Sequence, residues 1–455
     1  MSVASKPLVH TQSSLTLVLR LAIPVLIEQF LSMLVMLSDT ALAGRYLEPA
    51  HMAAMSLLAY VMWLIPCLYG AISIGATAMV ARFVGGGAYE SARRVANQAV
   101  LLGALVTLAV VLGLHQFGPH LVRMMNLSEE SAGYALRYLD LLLWVMPAVM
   151  LCQIGPACLR GAGDTVTGMV VMGLVNALNV VLSWALVLGW WGLPQLGWDG
   201  LAWGTAIGYA VGGIAMLAVL LHGRAGLAIR AQALAFHPNL VRRMLRIGIP
   251  GGSDMLAIVL CHMWFVSIIF QLGDVAAAAH GVAVRIEALA YLPGTAFQVA
   301  ATTLTGQFLG ARNEARATQS TAVAGVLGAT VMSAAGLVLF FGAEPLVRLF
   351  VRGDAEEVIA QAAPLLRIVS VSMPVLAVSM VFSGALRGAG DTRWPFVFTL
   401  ISMLGVRIPG AYLLTQPSWG LGVAGAWYAM IGEIFTRGVL VTVRFVQGAW
   451  KKIEV

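Results

Sequence analysis

Long apolar runs separated by short polar segments make up nearly the whole of this chain. A helix needs about 20 consecutive apolar residues to cross the hydrocarbon core of a bilayer, and each run is long enough. We therefore predict an all-α polytopic membrane protein with twelve transmembrane helices. The predicted helices cover residues 15–43, 52–83, 92–117, 131–159, 166–189, 200–222, 240–272, 276–309, 315–341, 356–386, 394–415 and 421–447.

Two sequence motifs recur at half the length of the chain. The heptapeptide LRGAGDT begins at Leu159 and again at Leu386, 227 positions later in a chain of 455 residues. The segment Arg20–Pro24 (RLAIP) recurs as Arg246–Pro250 (RIGIP), at an offset of 226. Two matches at nearly one offset indicate a duplicated half. In a chain this apolar, duplication predicts a transporter with two lobes.

Each heptapeptide is expected to form the turn between two membrane helices. Gly161 and Gly163 permit a left-handed helix stop, and Asp164 or Thr165 can cap the helix that follows. A glycine-rich phosphate-binding loop would need a preceding strand and a closing Gly-Lys-Ser/Thr, which are absent from this sequence. A structural turn is therefore the favoured interpretation.

The polar stretch 223–239 divides the predicted helices into two sets of six. We assign residues 1–222 to a first lobe, 223–239 to a linker and 240–455 to a second lobe. Because six is even, both lobes enter the membrane from the same side, and the repeats are parallel. Arginine is concentrated in the loops of one side, which by the positive-inside rule places both termini and the linker in the cytoplasm. These loops contain Arg93, Arg94, Arg160, Arg224, Arg230, Arg242, Arg243, Arg312, Arg316 and Arg393.

Composition excludes a soluble protein. Hydrophobic residues make up 60% of the chain and charged residues 10%, whereas a soluble domain carries about 25% charged residues. The net charge of +7 is attributed to cytoplasmic loops, so no nucleic-acid partner is predicted. The four cysteines show no metal-ligand spacing, and neither a metal nor a cofactor is predicted.

Several motifs together resemble those of the MATE family, the multidrug and toxic compound extrusion transporters. The resemblance extends over nearly the whole chain. It implies two six-helix bundles that form a V-shaped cleft and export organic cations or amphiphiles against a Na⁺ or H⁺ gradient. The motifs that carry it are Ile23-Pro24, Asp39-Thr40, Gly44, Gly75-Ala76, Val80-Ala81-Arg82, both heptapeptides, Ala279-His280, Arg285-Ile286-Glu287, Leu292-Pro293-Gly294, Gly306-Gln307 and Gly405 to Pro409.

Two acids lie in the first predicted helix, where an ionisable group in hydrocarbon costs at least about 2.5–3.5 kcal/mol. Glu28 and Asp39 are eleven residues apart, which places them on nearly one helix face, roughly 16 Å apart along the axis. The resemblance points to Asp39 as the acid that couples transport to a cation or proton. The alternative is that Asp39 lies at the outer rim and binds loop backbone.

The fifth predicted helix supplies neutral oxygens beside this acid. Asn176, Asn179 and Ser183 share one face, because they are three and four residues apart. Many relatives have Asp at the position of Ser183, so a second carboxylate is missing here, and Thr205 matches another ligand position of relatives. One acid with neutral oxygens suits either H⁺ or Na⁺. The alternative is that these side chains only join helices by hydrogen bonds.

The second lobe offers Asp254, Arg285, Glu287 and Arg407 as substrate or gating residues. Asp254 follows Pro250 by four residues, as Glu28 follows Pro24, so the two acids are pseudo-symmetric. We expect Arg285 to meet Asp254, and Glu287 to meet Arg407 or a cationic substrate. A structural ion pair is the alternative role for Arg285 and Glu287. The single His280 is interpreted as an interior histidine with its hydrogen bonds satisfied.

The sequence therefore predicts a cation- or proton-coupled antiporter, not an enzyme, with a small cationic or amphiphilic substrate. The alternative is a flippase or exporter of lipid-linked or polar metabolites, which would need a cationic cleft. No catalytic constellation and no channel filter is recognisable in the sequence. We expect a monomer in the bilayer of a bacterial inner membrane.

Overall fold

The structure is a computed structural model that describes residues 12–47, 49–124, 128–230, 235–351 and 355–453. The described residues are mostly helical and include no strand. Both ends of the chain and residues 231–234 of the predicted linker lie outside them. The α-helices are α1 (Ser14–Tyr46), α2 (Pro49–Gly85), α3 (Tyr89–Met124), α4 (Glu129–Gly161), α5 (Val166–Leu188), α6 (Trp198–Leu221), α7 (Pro238–Phe270), α8 (Asp274–Gly310), α9 (Glu314–Phe341), α10 (Ala343–Phe350), α11 (Glu356–Ser370), α12 (Met373–Ala389), α13 (Arg393–Ser402), α14 (Ile408–Leu414) and α15 (Gly422–Gln447).

These helices confirm the predicted all-α fold with twelve membrane spans. Within the described residues, ten helical segments are long and apolar enough to cross a bilayer, and the bent pair α11–α12 supplies an eleventh. Helix α15 has 26 residues, more than the roughly 20 that a span needs, and is the twelfth. The short α10 is additional and follows α9.

Two of the spans are less regular than their apolar runs suggest. The run 356–386 predicted one continuous helix, but α11 and α12 meet at an angle of 54°. Pro374 lies in the first turn of α12, where its missing N–H is tolerated and continuation from the preceding helix is disfavoured. The span from α13 to α14 contains a π-helix at Met403–Arg407, which inserts one extra residue into the helical turn.

The repeated heptapeptides form the same turn twice. Gly163 and Gly390 have φ of +87° and +91°, so each ends its helix in the left-handed region that favours glycine. The N–H of Asp164 donates to the carbonyl of Leu159 at 2.9 Å. The equivalent bond in the second turn starts at Asp391 and is 2.8 Å long. These bonds define a Schellman helix stop, as the sequence predicted.

An aspartate in each turn also caps the next helix and contacts an arginine. The Oδ1 of Asp164 accepts from the N–H of Thr167 at 3.0 Å, and its Oδ2 accepts from Arg224 Nε at 2.9 Å. In the second turn, Asp391 Oδ2 lies 2.9 Å from Arg444 Nη2. Burial alone would raise the pKa of Asp164, but the hydrogen bonds from Arg224 and Thr167 outweigh burial and lower it. Burial raises the pKa of Asp391 despite its contact with Arg444.

The described residues form two compact units. The first contains Ile27–Val84 and Ala88–Gly248, and the second contains the described part of Leu8–Leu26 together with Gly85–Gly87 and Ile249–Val455. Helix α1 thus contributes to both, because its first half packs into the core of the second unit beside α8, α12 and α15. The division of the chain at residues 222 and 240 stays a prediction.

The linker is held to the first unit by two buried amides of α3. Asn97 Nδ2 donates to the carbonyl of Ala228 at 3.1 Å, and its Oδ1 accepts from the N–H of Arg230 at 3.2 Å. The next residue, Gln98, binds the backbone of Ala235 at 2.8 Å and of His237 at 2.9 Å. Backbone on both sides of residues 231–234 is therefore fixed to α3.

Candidate functional site

Three helices of the first unit contribute side chains to one buried hydrogen-bond network. The Oγ1 of Thr205 in α6 accepts from the hydroxyl of Tyr138 in α4 at 3.0 Å and from Asn179 Nδ2 in α5 at 2.9 Å. Helices α5 and α6 approach closely because α6 carries small residues here. A Cβ at Gly204 would lie 2.3 Å from Ser183 Oγ.

Three buried oxygens of this region have no hydrogen-bond partner among the described residues: Asp39 Oδ1, Asn179 Oδ1 and Ser183 Oγ. Asp39 is partly buried and lies close enough to Tyr138 to interact with it electrostatically. Leaving a buried polar atom without a partner costs about 1–3 kcal/mol. Such oxygens would be satisfied by a proton on Asp39 or by a bound monovalent cation.

Asn176 lies on the same buried face of α5 but does not join the Thr205 network. Its Nδ2 donates to Ser32 Oγ of α1 at 3.3 Å. Eight residues further along α5, a second polar contact to α1 is made, since Trp184 Nε1 donates to Ser38 Oγ at 2.8 Å. The half of α1 that carries Asp39 is therefore joined to α5 by side-chain hydrogen bonds.

Glu28 and Asp254, the pseudo-symmetric acids, each contact the arginine of a repeated heptapeptide. Glu28 Oε1 lies 3.4 Å from Arg160 Nη1, and Asp254 Oδ2 contacts Arg387 Nη2. In each carboxylate the other oxygen is buried and has no hydrogen-bond partner among the described residues. The expected pair of Asp254 with Arg285 is not formed, because the heptapeptide arginine occupies that place.

Arg285 is exposed on α8 and makes no ion pair with any described residue. Its neighbour Glu287 is partly buried and close enough to Arg407 to interact with it electrostatically. The two carboxylate-to-arginine pairings expected in the second lobe therefore differ in outcome. The carboxylate within ion-pair distance of Arg407 is that of Glu433, which we had not predicted as its partner.

The second unit contains a buried ion cluster around Glu433 of α15, which is fully inaccessible to solvent. Its Oε2 lies 3.8 Å from Arg407 Nη1, and its Oε1 lies 3.0 Å from Arg437 Nε. The hydroxyl of Ser402 donates to the same Oε1 at 3.1 Å. The guanidinium of Arg407 lies 4.3 Å from the ring centroid of Phe265, so a cation–π contact supports its burial.

Histidine side chains lie beside this ion cluster. The rings of His262 and His280 are 6.3 Å apart, and His280 Nδ1 accepts from Trp427 Nε1 at 3.2 Å. His280 therefore has the satisfied interior environment that we expected. Among the described residues, no three His, Cys, Asp or Glu side chains are grouped closely enough to hold a metal ion.

The sequence did not indicate Tyr138, whereas Glu433 stood out as an ionisable residue within a predicted span, although no partner was predicted for it. Tyr138 resembles an ordinary aromatic core position, so nothing in its local pattern indicated a buried hydroxyl bound to Thr205. Arg437 follows Glu433 by one helical turn, so the sequence alone offered one of its two arginine partners.

A family described as MatE matches the chain twice, over residues 24–185 and 250–413. The chain belongs to the MATE family. The two matches correspond to the two repeats, so the family assignment and the internal duplication agree. The chain is therefore that of a multi-pass membrane transporter of the multidrug and toxic compound type.

Two relatives match along nearly their whole length. "Probable multidrug resistance protein NorM" of Thermotoga maritima is 30% identical over 435 residues, which cover 95% of this chain and 92% of that protein. "Uncharacterized transporter YisQ" of Bacillus subtilis is 26% identical over 428 residues, covering 94% of this chain and 93% of the relative. Both are similar to this chain along both repeats.

Solved MATE structures share the fold at low sequence identity. The "Crystal structure of MATE in complex with MaL6" has a TM-score of 0.90 at 22% identity and covers 97% of this chain and 98% of that one. Structures described as the straight and the bent conformation of MATE give TM-scores of 0.89 and 0.87 at 22% and 21% identity. Each covers 97% of this chain and 98% and 99% of its own.

Proposed function

We propose that this MATE protein is a secondary antiporter that exports organic cations or amphiphilic compounds by alternating access. Entry of a proton or a monovalent cation at Asp39 drives the export. The observation that carries this proposal is a partly buried carboxylate whose Oδ1 has no hydrogen-bond partner among the described residues, in the same unit as unpartnered oxygens of Asn179 and Ser183.

The chemistry of these groups suits a site that fills and empties. A carboxyl group out of water exchanges a proton near the ambient pH more readily than an exposed one. In its ionised form it can instead ligate Na⁺ together with amide and hydroxyl oxygens. Filling the site removes the net negative charge of Asp39. The hydrogen bonds of Ser32 and Ser38 join this half of α1 to α5, so a change at Asp39 affects how the two helices pack.

Transport in proteoliposomes with pH and Na⁺ gradients imposed separately tests the proposal. Export of ethidium that follows only one of the two gradients identifies the coupling ion. Flux that needs neither gradient would indicate a channel and contradict antiport.

Replacement of the coupling acid provides the sharper test. Asp39→Asn should abolish gradient-driven export while the midpoint of thermal unfolding changes little, because the amide keeps the size of the side chain but holds neither a proton nor a cation. Asp140→Asn is the matched control, since Asp140 is an exposed aspartate of α4. Wild-type export by the Asp39 variant would remove Asp39 from the mechanism.

The arginines of the second unit favour antiport of cations over transport of a lipid-linked pyrophosphate. Arg387 lies within 4.0 Å of Asp254, and Arg407 and Arg437 both lie within 4.0 Å of Glu433. Of the arginines singled out in this unit, Arg285 makes no ion pair with a described residue, and one guanidinium is less than a pyrophosphate needs. A pyrophosphate flippase needs cationic groups that the protein itself does not neutralise.

We also propose that the protein is a monomer in a bacterial inner membrane, with both termini in the cytoplasm. The orientation is supported by the concentration of arginine in the loops of one side, and the bacterial membrane is supported by the bacterial origin of the two relatives.

A further inference from the structure

A basic cavity of about 370 Å³ lies in the first unit, away from Asp39. It is formed by the last turn of α2, the first turns of α3 and the beginning of α7, and no Asp or Glu side chain lines it. The side chains that matter for its chemistry are Phe83, Ser91, Arg94, His237, Leu240 and Arg243.

The lining of the cavity favours an anion. Two guanidinium groups, an imidazole and a hydroxyl face the same space, and the first turn of α7 adds backbone N–H groups that have no acceptor within the helix. Glu90 is the nearby acid on α3, and it lies outside the lining. Its carboxylate contacts Arg93 at 2.5 Å and is 3.6 Å from Arg94 Nε, so Arg93 is its closer partner.

The wall of the cavity is held in place before any ligand arrives. Gln98 is completely buried in α3 and binds the backbone on both sides of Phe236, accepting from the N–H of His237 and donating to the carbonyl of Ala235. The start of α7 is thereby fixed against α3. Binding in such a site requires little ordering of the protein, which favours affinity.

The cavity lies at the ends of three membrane spans, where lipid headgroups are found. Helix α2 ends at Gly85, α3 begins at Tyr89 and α7 begins at Pro238. This is the arginine-rich side of the protein, which faces the leaflet that carries anionic lipid. Phe83 and Leu240 add apolar surface beside the basic groups, which a free phosphate would not use.

We propose that this cavity binds the headgroup of an anionic phospholipid. The lipid phosphate contacts Arg94 and Arg243, the hydroxyl of Ser91 and the N-terminal turn of α7 add hydrogen bonds, and the glycerol and first acyl carbons lie against Phe83 and Leu240. This site is independent of the proposed coupling at Asp39.

Native mass spectrometry of the full-length, delipidated protein in detergent tests the proposal. The probes are short-chain phosphatidylglycerol, phosphatidylcholine of the same chain length, and inorganic phosphate as a competitor. One phosphatidylglycerol should bind in preference to phosphatidylcholine, and millimolar phosphate should not displace it. Arg94→Gln combined with Arg243→Gln should weaken phosphatidylglycerol binding about 25-fold, because each basic residue near a membrane surface contributes about fivefold.

Arg242→Gln combined with Arg393→Gln is the matched control. Both arginines are exposed, lie on the same arginine-rich side and do not line the cavity, so the change in net charge is identical. The control should bind the lipid like the wild type. Equal weakening in both double variants, or equal binding of phosphatidylcholine, would overturn the proposal. Complete displacement by phosphate would also overturn it, because the occupant would then be a free anion.

Discussion

The two units of this transporter share the ionic contacts of their repeated heptapeptides and differ in the middle of the fifth span of each repeat. In both, a heptapeptide arginine contacts an acid that lies four residues after a proline, Arg160 with Glu28 and Arg387 with Asp254. In both, the heptapeptide aspartate contacts an arginine near the end of its repeat. Because both repeats make these ionic contacts, we expect the contacts to serve the fold that the repeats share.

The middle of the fifth span of each repeat has diverged. The first unit has neutral side chains there, with Asn179 bound to Thr205. Counting 227 positions on from Asn179 leads to Val406, which is followed directly by Arg407 in the π-helix Met403–Arg407. The second unit thus has an arginine in an ion cluster where the first has an amide in a neutral network.

This difference separates two kinds of buried polar site. Buried carboxylate oxygens lack hydrogen-bond partners among the described residues in both units, Asp39 Oδ1 in the first and Glu433 Oε2 in the second, but the structure shows arginine nitrogens within 4.0 Å of Glu433 and none within that distance of Asp39 among the described residues. In the second unit, Glu433 is contacted by Arg407, Arg437 and Ser402, so its charge is already compensated. We expect the first arrangement to act in transport and the second to stabilise the fold.

The largest effect on stability is expected from Glu433→Gln. The change leaves two buried guanidinium groups without their shared carboxylate, and breaking a buried ion pair costs about 3–5 kcal/mol. The midpoint of thermal unfolding, followed by tryptophan fluorescence of the purified protein, should fall clearly. Glu344→Gln is the control, because Glu344 forms an exposed pair with Arg348 that contributes at most about 1 kcal/mol.

A second variant shows whether the ion cluster acts only in stability. Replacing the cluster by apolar residues, with Arg407→Met, Arg437→Met and Glu433→Leu together, should recover much of the lost stability. If its role is structural, gradient-driven export should recover as well. A stable triple variant that cannot transport would show that the contrast between the two units is wrong.

The two equivalent ion pairs, Asp254 with Arg387 and Glu28 with Arg160, should differ in strength. The side chains of Asp254 and Arg387 are 3% and 16% exposed and in direct contact, whereas Glu28 and Arg160 are 11% and 22% exposed and 3.4 Å apart. Asp254→Asn should therefore lower the free energy of unfolding by about 2–4 kcal/mol and Glu28→Gln by about 1–2 kcal/mol. Equal losses in thermal unfolding would mean that burial does not set the strength of these pairs.

The sequence predicted the helices well because the bilayer fixes how long an apolar run must be. Runs 166–189 and 315–341 correspond to Val166–Leu188 and Glu314–Phe341. The left-handed turns were also predictable, since only glycine adopts φ near +90° without strain. Both features depend on residues that are close together in the chain.

The partners of buried charges were not predictable in the same way. Asp254 and Arg387 are 133 residues apart in sequence, and Arg285 was an equally reasonable partner by helix geometry alone. The π-helix was missed because the span was recognised by the length of its apolar run, which one inserted residue hardly changes. Tyr138 was missed because an aromatic side chain in an apolar run gives no indication of where its hydroxyl points.

Thr205→Val should lower stability less than loss of the buried ion pairs does. It should lower export strongly, although threonine and valine are similar in size. The variant removes the acceptor shared by Tyr138 and Asn179, which costs about 1–2 kcal/mol, and it removes a predicted ligand of the coupling ion. Export should fall while the protein stays folded. Thr436→Val is the control, because Thr436 only binds the carbonyl of Gly432 in its own helix; equal export by both variants would exclude Thr205 from the site.

The smallest effect concerns the two equivalent turns, whose aspartates should respond to pH in opposite directions. Hydrogen bonds lower the pKa of Asp164 below the usual 3.8, so its contribution is present above that value and is lost as pH falls through the folded-state pKa. Burial raises the pKa of Asp391. The folded state then holds the proton more tightly, and the contribution of Asp391 is present below pH 3.8 and is lost as pH rises through its folded-state pKa.

Thermal unfolding between about pH 3 and pH 8 measures this contrast through two matched variants. Asp164→Asn should remove a part of the stability that grows with pH, and Asp391→Asn should remove a part that declines with pH. The two difference curves against the wild type should therefore slope in opposite directions. Parallel curves would mean that Arg444 outweighs burial at Asp391, and the two turns would then be equivalent in their electrostatics as well as in their backbone.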